Sequence, residues 1–309
     1  MMTPIECVGS IKSNRLFVKR DDLLPFSFGG NKYRIAIELL KEMEQSGCDC
    51  IIGYGNARSN MCRAISNIAY SRGVPCYIIS PADDDGNRVD SFNSKIVSDC
   101  NANIVFCLKS NVAETVSMLM NDCLDKGMKP YYIYGNKLGQ GNETVLSKAY
   151  SNVFAEIVMQ EKELNTSFDL IFLAAGTGMT YSGLVIGRNK LKSDKKIVGI
   201  SVARNQQQCY KVLNNYLKLT GNDFKGASDF VEFIDDYLCG GYGKYNDEIE
   251  KTIKLSLTQF GIPLDPVYTG KAFYGMCSYL DDHKIEDKNI LFLHTGGTPL
   301  FFDYYKEKM

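Results

Sequence analysis

The chain alternates short apolar runs with amphipathic stretches along most of its length, and this pattern constrains its fold more than any other feature. Ile35, Leu39 and Met43 recur at helical spacing, CIIGYG follows as a buried strand, and Ile65 lies in the next helical stretch. Further strand-like runs lie at 77–80, 103–107, 131–134, 169–173, 197–202 and 289–294. Helical stretches lie at 112–125, 144–161, 206–218, 247–260 and 272–281. Such alternation predicts an α/β fold in which helices connect parallel strands.

The length of the chain predicts two lobes. Its 309 residues are 45% hydrophobic and 23% charged, which is ordinary globular composition and unlike that of a disordered chain. A single core stops growing near roughly 250–300 residues, so a chain of this size has material for two. Polar stretches at 83–87 and 221–228 are typical of surface connections.

Charge and hydropathy favour a small-molecule ligand. Lys and Arg number 35 against 36 Asp and Glu, a net charge of −1, with no dense basic stripe for nucleic acid. The first residues lack the apolar core of a signal peptide, and no apolar stretch approaches the ~18 residues that span a bilayer. The sequence therefore predicts a cytoplasmic protein with neither a nucleic-acid nor a membrane partner.

The cysteines and histidines do not favour metal chemistry. Eleven cysteines, an odd number without a CxxC pair, are typical of reduced and mostly buried thiols. His283 and His294 are the two histidines, too few for most zinc sites, and serine-hydrolase chemistry is disfavoured for the same reason. We predict no metal.

Four glycine-rich loops lie beside strand ends or helix starts. They are SFGGNKYR (27–34), GYGNARSN (53–60), AAGTGMT (174–180) and HTGGTP (294–299). In open parallel sheets ligands bind at the carboxyl ends of strands, so these loops are the candidates for function.

The loop AAGTGMT favours a bound phosphate. Glycines let backbone N–H groups approach an anion at a positive helix end, and Thr177 and Thr180 add hydroxyl donors. The loop lacks both the GK[ST] ending of a nucleotide loop and the full GxGxxG spacing, which favours one phosphate over a pyrophosphate. A tight turn without a ligand is the alternative.

Lys32 follows two glycines at a predicted helix start, where a cation opposes the positive helix end. This mismatch indicates an amine used in chemistry, since lysine forms Schiff bases with carbonyl compounds. A solvated surface lysine is the alternative. Ser59 and Asn60 could bind a carboxylate or simply cap a helix, and Thr295 could donate to a ring nitrogen or lie in an ordinary turn.

Taken together, these motifs resemble one family, the fold type II pyridoxal-phosphate enzymes that include D-cysteine desulfhydrase and 1-aminocyclopropane-1-carboxylate (ACC) deaminase. The likeness spans nearly the whole chain, in the family's order. It runs through VKRDDLLPFSFGGNKYR, the Ser-Asn turn, AAGTGMTYSGL, GGYG, LDPVYTGKAFYGM and HTGGTP.

The resemblance implies a role for each matching residue. Lys32 is similar to the lysine that holds the cofactor as an internal aldimine and moves the Cα proton, and Asn60 to the asparagine on the cofactor's phenolic oxygen. Ser59 is similar to the serine that binds the substrate carboxylate or assists proton transfer. The implied phosphate cup is Gly176, Thr177, Gly178, Met179 and Thr180. The implied active-site tyrosines are Tyr242 and Tyr268, and the implied ring-nitrogen partner is Thr295.

The resemblance also implies an architecture like that of the tryptophan synthase β subunit. It has two three-layer domains with parallel sheets and the active site in the cleft between them. The large cofactor domain would comprise 1–46 and 157–309, and the small α/β domain 47–156. Homodimers are usual in the family.

Two threonines favour the desulfhydrase branch, which eliminates sulfide from D-cysteine to give pyruvate and ammonia. Thr269 and Thr295 stand where the deaminase branch carries Glu and Leu. The loop GNARSNM departs from the family's usual GGxQSNH or GGxQSNQ, because Arg58 and Met61 replace neutral polar or imidazole side chains. Arg58 could clamp a substrate carboxylate or point to solvent.

Three readings stay open at this point. The first is a desulfhydrase-like lyase. The second is β-replacement, racemisation or ACC deaminase-type chemistry on another amino acid, an anionic one included. The third is a non-catalytic binding protein on the same scaffold, which the joint presence of the motif residues disfavours.

Overall fold

A computed structural model describes residues 1–82, 90–222 and 229–309 of the chain. The predicted surface connection at 83–87 lies outside the described residues, as does all but 221 and 222 of the one at 221–228. The strands of the described part are β1 (Ile5–Ile11), β2 (Asn14–Arg20), β3 (Cys50–Tyr54), β4 (Cys76–Pro81), β5 (Asn103–Cys107), β6 (Pro130–Tyr132), β7 (Leu170–Ala175), β8 (Lys196–Ser201), β9 (Val231–Ile234) and β10 (Asn289–His294). The helices are α1 (Asn31–Gln45), α2 (Asn60–Ser71), α3 (Phe92–Asp99), α4 (Val112–Asp125), α5 (Glu143–Glu163), α6 (Met179–Lys190), α7 (Gln206–Leu219), α8 (Asp247–Phe260), α9 (Thr269–Asp282) and α10 (Thr298–Glu307).

The predicted α/β alternation is confirmed. Every strand and helix predicted by range from the sequence is present, with ends within three residues of those observed. The first two strands differ from the parallel pattern, because β1 and β2 form an antiparallel hairpin whose turn places Lys12 at a positive φ of 53°. A short loop allows only an antiparallel pair, since parallel strands need a crossover.

Contacts divide the chain into two compact units, residues 1–24 with 147–309 and residues 25–146. These boundaries differ from those expected at 46/47 and 156/157. Helix α1 belongs to the second unit because its buried face packs against α2 and β3. Most of α5 belongs to the first unit, where it packs closely against α6.

The first unit is built on a six-stranded sheet in the order β1-β2-β10-β7-β8-β9. Apart from β1 and β2, neighbouring strands are parallel. Strand β7 is buried throughout, as expected for a continuous apolar run covered on both faces of a parallel sheet. Phe172, Ile200, Phe273 and Phe292 lie at the centre of its core.

The second unit is built on a four-stranded parallel sheet in the order β5-β4-β3-β6. Gly53 in β3 allows a close approach, since a Cβ there would lie 2.7 Å from Cδ1 of Ile78. Both α1 and α2 are amphipathic, and their apolar stripes face one another and the sheet. No helix in the described ranges is long and apolar enough to cross a membrane.

Candidate active site

The loop before α1 holds five consecutive residues in a backbone conformation that most residues avoid. From residue 26 to residue 30 every φ is positive, at 61°, 38°, 65°, 55° and 93°. Gly29 and Gly30 tolerate this, but a non-glycine residue loses roughly 1–2 kcal/mol there. Phe26, Ser27 and Phe28 therefore hold this shape only because surrounding contacts impose it.

Lys32 is the second residue of α1, directly after this loop. Gly30 is the N-cap and offers no side-chain acceptor, so the first turn keeps its positive end uncapped. Burial lowers the pKa of Lys32 from 10.5 to about 8. Within the described residues its amine has no hydrogen-bond or ion-pair partner. The site thus contains an amine whose neutral, nucleophilic form is accessible near physiological pH.

The Ser-Asn turn links β3 to α2. Ser59 is the N-cap of α2, and its Oγ accepts from the N–H of Cys62 at 3.2 Å. Gly55 lies beside it at φ 158°, and a Cβ there would come within 2.5 Å of the Ser59 Oγ. The prediction that Ser59 caps a helix is therefore confirmed. This cap fixes the turn that presents Asn60.

The side-chain amide of Asn60 is oriented by two donors. Its Oδ1 accepts from Nη2 of Arg63 at 3.3 Å and from Nδ2 of Asn93 at 3.0 Å. Both donors require the oxygen rather than the nitrogen on that side. The NH₂ group of Asn60 therefore remains available to donate to a ligand oxygen.

Arg58 combines a fixed backbone with an uncommitted side chain. Its N–H donates to Oδ1 of Asn56 at 3.1 Å and its carbonyl accepts from Nδ2 of Asn93 at 2.9 Å. Its half-buried guanidinium has no hydrogen-bond or ion-pair partner among the residues the structure describes. Met61 is 3% exposed and packs into the core. The methionine that replaces the family's usual polar or imidazole side chain at this position therefore serves apolar packing.

In the first unit, a glycine loop joins β7 to α6. Gly178 is the N-cap of α6 in the left-handed conformation (φ 92°), and a Cβ there would lie 2.9 Å from Cγ1 of Val212. No side chain caps this helix end, which leaves its first N–H groups for an anion. Arg204 donates to the Thr177 carbonyl at 2.7 Å and brings positive charge to the loop. Met179 and Thr180 are buried in the first turn.

Two tyrosines in the same unit share a hydrogen bond. The hydroxyl oxygens of Tyr242 and Tyr268 lie 2.7 Å apart, and the rings meet edge to face with centroids 6.0 Å apart. Tyr268 is the N-cap of α9, whereas Tyr242 lies on the glycine loop between β9 and α8. The buried amine of Lys271 donates to the carbonyls of Leu238 and Gly241, at 2.8 and 2.9 Å, and so holds that loop.

A buried carboxylate organises the start of α9. Asp265 accepts hydrogen bonds from the N–H groups of Val267, Tyr268 and Thr269. The Thr269 hydroxyl donates to it at 2.7 Å. Burial raises the pKa of Asp265, although these donors act in the opposite direction. A Cβ on Gly297 would lie 2.2 Å from the same carboxylate, so glycine is required where the last loop passes.

Thr295 follows β10 and is 7% exposed. Its hydroxyl has no hydrogen-bond partner within the described residues. The neighbouring His294 fixes the loop, because its Nδ1 accepts from the N–H of Gly296 at 3.2 Å and its Nε2 donates to the Pro263 carbonyl at 2.8 Å. A hydroxyl without a protein partner has hydrogen-bonding capacity left for a ligand.

Comparison with known proteins decides the family. The sequence profile of a family described as "Pyridoxal-phosphate dependent enzyme" matches residues 2–296. The chain belongs to this family. It is 30% identical to D-cysteine desulfhydrase of Salmonella typhi, over 98% of this chain and 94% of that protein.

Solved structures agree with this assignment. The crystal structure of an ACC deaminase homologue is similar with a TM-score of 0.83 and 28% identity, over 99% of this chain and 93% of the other. A hydrogen sulfide-producing enzyme from Fusobacterium nucleatum shares the fold, with a TM-score of 0.64 and 18% identity over 95% and 94% of the two chains. The expected family, fold type and cofactor, and the expectation of a pyridoxal-phosphate-dependent lyase, are confirmed.

The side chains present fit pyridoxal phosphate. Lys32 provides an amine with a lowered pKa for the cofactor carbonyl. The start of α6 at Gly178 has no side-chain cap, so its N–H donors suit a phosphate. Asn60 and Thr295 provide uncommitted donors for a phenolic oxygen and a ring nitrogen. No group of three metal-ligating side chains occurs among the described residues.

Several residues that orient the candidate site residues were not singled out from the sequence. Each of them contacts a candidate site residue or the loop that carries it. Arg63 and Asn93 donate to Asn60. Asp265 and Lys271 hold the backbone that carries the two tyrosines, and Arg204 donates to the carbonyl of Thr177. A charged residue inside an otherwise buried helix, such as Arg63 or Lys271, is the sequence signal that could have identified two of them.

Proposed function

We propose that this enzyme eliminates sulfide from D-cysteine, so that D-cysteine and water give pyruvate, ammonia and hydrogen sulfide. The observation that carries the proposal is the likeness, over nearly the full length of both chains, to a D-cysteine desulfhydrase. It is supported by Lys32, whose amine is partly neutral near pH 7 because its pKa is about 8.

Lys32 is the proposed attachment point and the proposed base. When bound, pyridoxal phosphate supplies a conjugated ring that accepts negative charge from the substrate Cα. Lys32 Nζ takes the Cα proton, which requires the neutral amine that its lowered pKa provides. The sulfur then leaves from Cβ, and water releases ammonia and pyruvate.

The remaining site residues have binding roles in this proposal. The loop of Gly176, Thr177, Gly178, Met179 and Thr180 holds the phosphate, while Asn60 and Thr295 donate to the ring substituent and the ring nitrogen. A threonine cannot keep that nitrogen protonated as a carboxylate would, which suits elimination. Ser59 and Arg58 bind the substrate carboxylate, because the Arg58 guanidinium is uncommitted and lies next to Ser59 in the chain.

Tyr242 and Tyr268 are proposed to act as one acid group for the departing sulfur. Their hydroxyls share a hydrogen bond of 2.7 Å, so a proton given up by one hydroxyl can be replaced through the other. A proton delivered at the sulfur makes it a better leaving group.

The first experiment is the visible spectrum of purified protein with pyridoxal phosphate, before and after D-cysteine or L-cysteine. Borohydride reduction followed by peptide mapping identifies the modified lysine. We expect label at Lys32, a change of the band with D-cysteine, and release of pyruvate and sulfide. Lys32→Ala removes the label and turnover, whereas Lys41→Ala, on the exposed side of the same helix, changes neither.

Other results would redirect the proposal. Label at Lys32 without products from D-cysteine contradicts the substrate and leaves the cofactor role intact. Incorporation of added thiol or sulfite would indicate β-replacement, and deuterium exchange at Cα without elimination would indicate racemisation. Absence of label at Lys32 contradicts the assignment of the lysine.

We also propose a homodimer in the cytoplasm, from the family resemblance. Light scattering behind a sizing column measures the first. A monomer mass at micromolar concentration would contradict it. Cell fractionation tests the second.

A further inference from the structure

Arg63 lies on α2, one turn after the Ser-Asn turn, and is fully buried. Its guanidinium donates to the carbonyls of Ser27 and Gly29, the latter at 3.2 Å, and to Oδ1 of Asn60 at 3.3 Å. All three acceptors are uncharged. No carboxylate pairs with this guanidinium among the described residues, and its Nε has no hydrogen-bond partner there.

A buried cation without an anion is an expensive feature in a fold. Burial lowers the pKa of Arg63 to about 10, yet the group remains charged at neutral pH. A hydrocarbon side chain of similar size would avoid this cost, so packing alone does not explain an arginine at this position. Its advantage is a planar group with several donors, which can bind separate acceptors at once.

The first two acceptors belong to the strained loop. Residues 27 and 29 lie inside the run of positive φ that ends at Gly30, two residues before Lys32. Hydrogen bonds from a charged donor are stronger than neutral ones. Arg63 therefore holds this loop against the conformational cost of Ser27 and Phe28.

The third acceptor belongs to the other loop. Arg63 and Asn93 together keep the oxygen of Asn60 inward and its NH₂ group outward. One side chain thus connects the backbone before Lys32 to the amide of Asn60.

We propose that Arg63 is a positioning residue. It fixes the Lys32 loop and the Asn60 amide relative to each other, in the arrangement that binds pyridoxal phosphate. This inference rests on the proposed function of Lys32 and Asn60. Arg63 itself touches neither cofactor nor substrate in this proposal; it acts through the two carbonyls and the amide.

The test compares Arg63→Met and Arg63→Lys with Arg72→Met. Arg72 lies just after the same helix and pairs with Glu44 at the surface, which makes it a matched control. Two properties are measured. One is hydrogen–deuterium exchange of the 26–32 segment in cofactor-free protein, and the other is the dissociation constant of pyridoxal phosphate with the pH dependence of its visible band.

For Arg63→Met we expect exchange in this segment to be at least about tenfold faster, and pyridoxal phosphate to bind about 10- to 100-fold more weakly. The pH midpoint of the visible band should also shift, because the Asn60 donor is no longer oriented. Arg63→Lys should recover part of each change, since an ammonium retains donors but lacks the planar fork. Arg72→Met should match the wild type.

Unchanged exchange, affinity and pH midpoint in a folded Arg63→Met protein would overturn the proposal. If that variant does not fold, Arg63→Lys decides, and wild-type values in all three measurements would likewise overturn it. If the wild type binds no pyridoxal phosphate, the proposed function fails, whereas faster exchange at 26–32 in the variants still supports the role of Arg63 in the loop.

Discussion

The surroundings of Lys32 change its protonation equilibrium. Burial lowers its pKa to about 8, and no charged side chain contributes to this shift. At pH 7 roughly a tenth of such amines are neutral, against less than a thousandth for a free lysine. Position at an uncapped helix start acts in the same direction.

This pKa has a consequence for stability. The unfolded chain binds the proton more tightly than the folded one, so the free energy of unfolding rises between pH 8 and pH 10.5 and is lowest below pH 8. We expect cofactor-free Lys32→Met to be more stable than the wild type at pH 7 by about 1 kcal/mol, a figure reduced for the partial exposure of the side chain. Urea unfolding from pH 7 to 10.5 measures this. A difference that does not shrink with rising pH would contradict it.

Arg58 gives a second prediction for a single residue. A guanidinium that binds the substrate carboxylate equally in ground and transition states affects KM rather than kcat. We expect Arg58→Met to raise KM about tenfold or more for the true substrate and to leave kcat within about threefold. Steady-state kinetics with Arg72→Met as control measure it. An unchanged KM would place the Arg58 side chain outside the substrate site.

Helix α6 shows how an element positions a loop. Its N-terminus carries the glycine loop, and two of its glycines let it approach α5. A Cβ on Gly183 would lie 2.6 Å from the Ser147 carbonyl oxygen, and one on Gly187 would lie 2.5 Å from that of Ser151. Backbone atoms cannot move aside as a flexible side chain can, so the helix spacing depends on these glycines.

Gly183→Ala should therefore destabilise the protein. The better helix propensity of alanine gains up to about 1 kcal/mol, while overpacking costs about 1–3 kcal/mol, so overpacking decides the sign. We expect a net loss of about 1–2 kcal/mol in chemical denaturation, and weaker binding of pyridoxal phosphate. Lys190→Ala, exposed on the same helix, serves as the control. Equal or higher stability of Gly183→Ala would show that α5 and α6 can separate freely.

The loop that carries Tyr242 depends on α9 through Lys271. Burial lowers the pKa of the Lys271 amine, and its hydrogen bonds within the described residues go to the main-chain carbonyls of Leu238 and Gly241. Its removal leaves two part-buried carbonyls without this donor, which loosens the loop.

We expect Lys271→Met to lower kcat about tenfold by displacing Tyr242. The same loss should occur in Tyr242→Phe, and the double variant should lose little more, because both changes break one contact between Tyr242 and Tyr268. A double-mutant cycle on kcat measures the coupling, with the surface residue Lys251→Met as control. Additive losses of kcat would show that Lys271 does not act through the contact between Tyr242 and Tyr268.

On the scale of the whole molecule, ligand binding should raise stability. A ligand that binds only the folded chain adds RT ln(1 + [L]/Kd), about 2.7 kcal/mol at a hundredfold excess over Kd. For a chain of this length we expect Tm to rise by roughly 5 °C with pyridoxal phosphate. Lys32→Ala should show a smaller rise, since the phosphate loop remains. Inorganic phosphate is the control ligand. No rise in the wild type would contradict binding.

Local patterns in the sequence were sufficient for the elements and for the types of chemistry. Periodicity depends on residues two to four positions apart, so the runs at 169–173 and 289–294 identified β7 and β10 without further information. Glycines next to Lys32 and before Met179 indicated where backbone would be exposed to a ligand. The fold type and the cofactor were implied by the resemblance to a known family that several such motifs carry in one order.

Tertiary packing decided what no local pattern encodes. Thr269 was read from the sequence as a marker of the reaction, whereas the structure turns its hydroxyl to the buried Asp265. Helix α1 joined the second unit because of its buried face, not because of its place in the chain.

Sequence and tertiary structure identify different residues of the candidate site: the sequence identifies the candidate reactive residues, and the structure identifies those that orient them. The sequence by itself determined the alternation of strands and helices and singled out Lys32 as the candidate reactive amine. Only the tertiary structure showed that Arg63 and Lys271 are buried cations held by main-chain carbonyls. The physical reason is that these bonds join residues about 30 positions apart, and such partners are chosen by packing and desolvation rather than by neighbours in the chain.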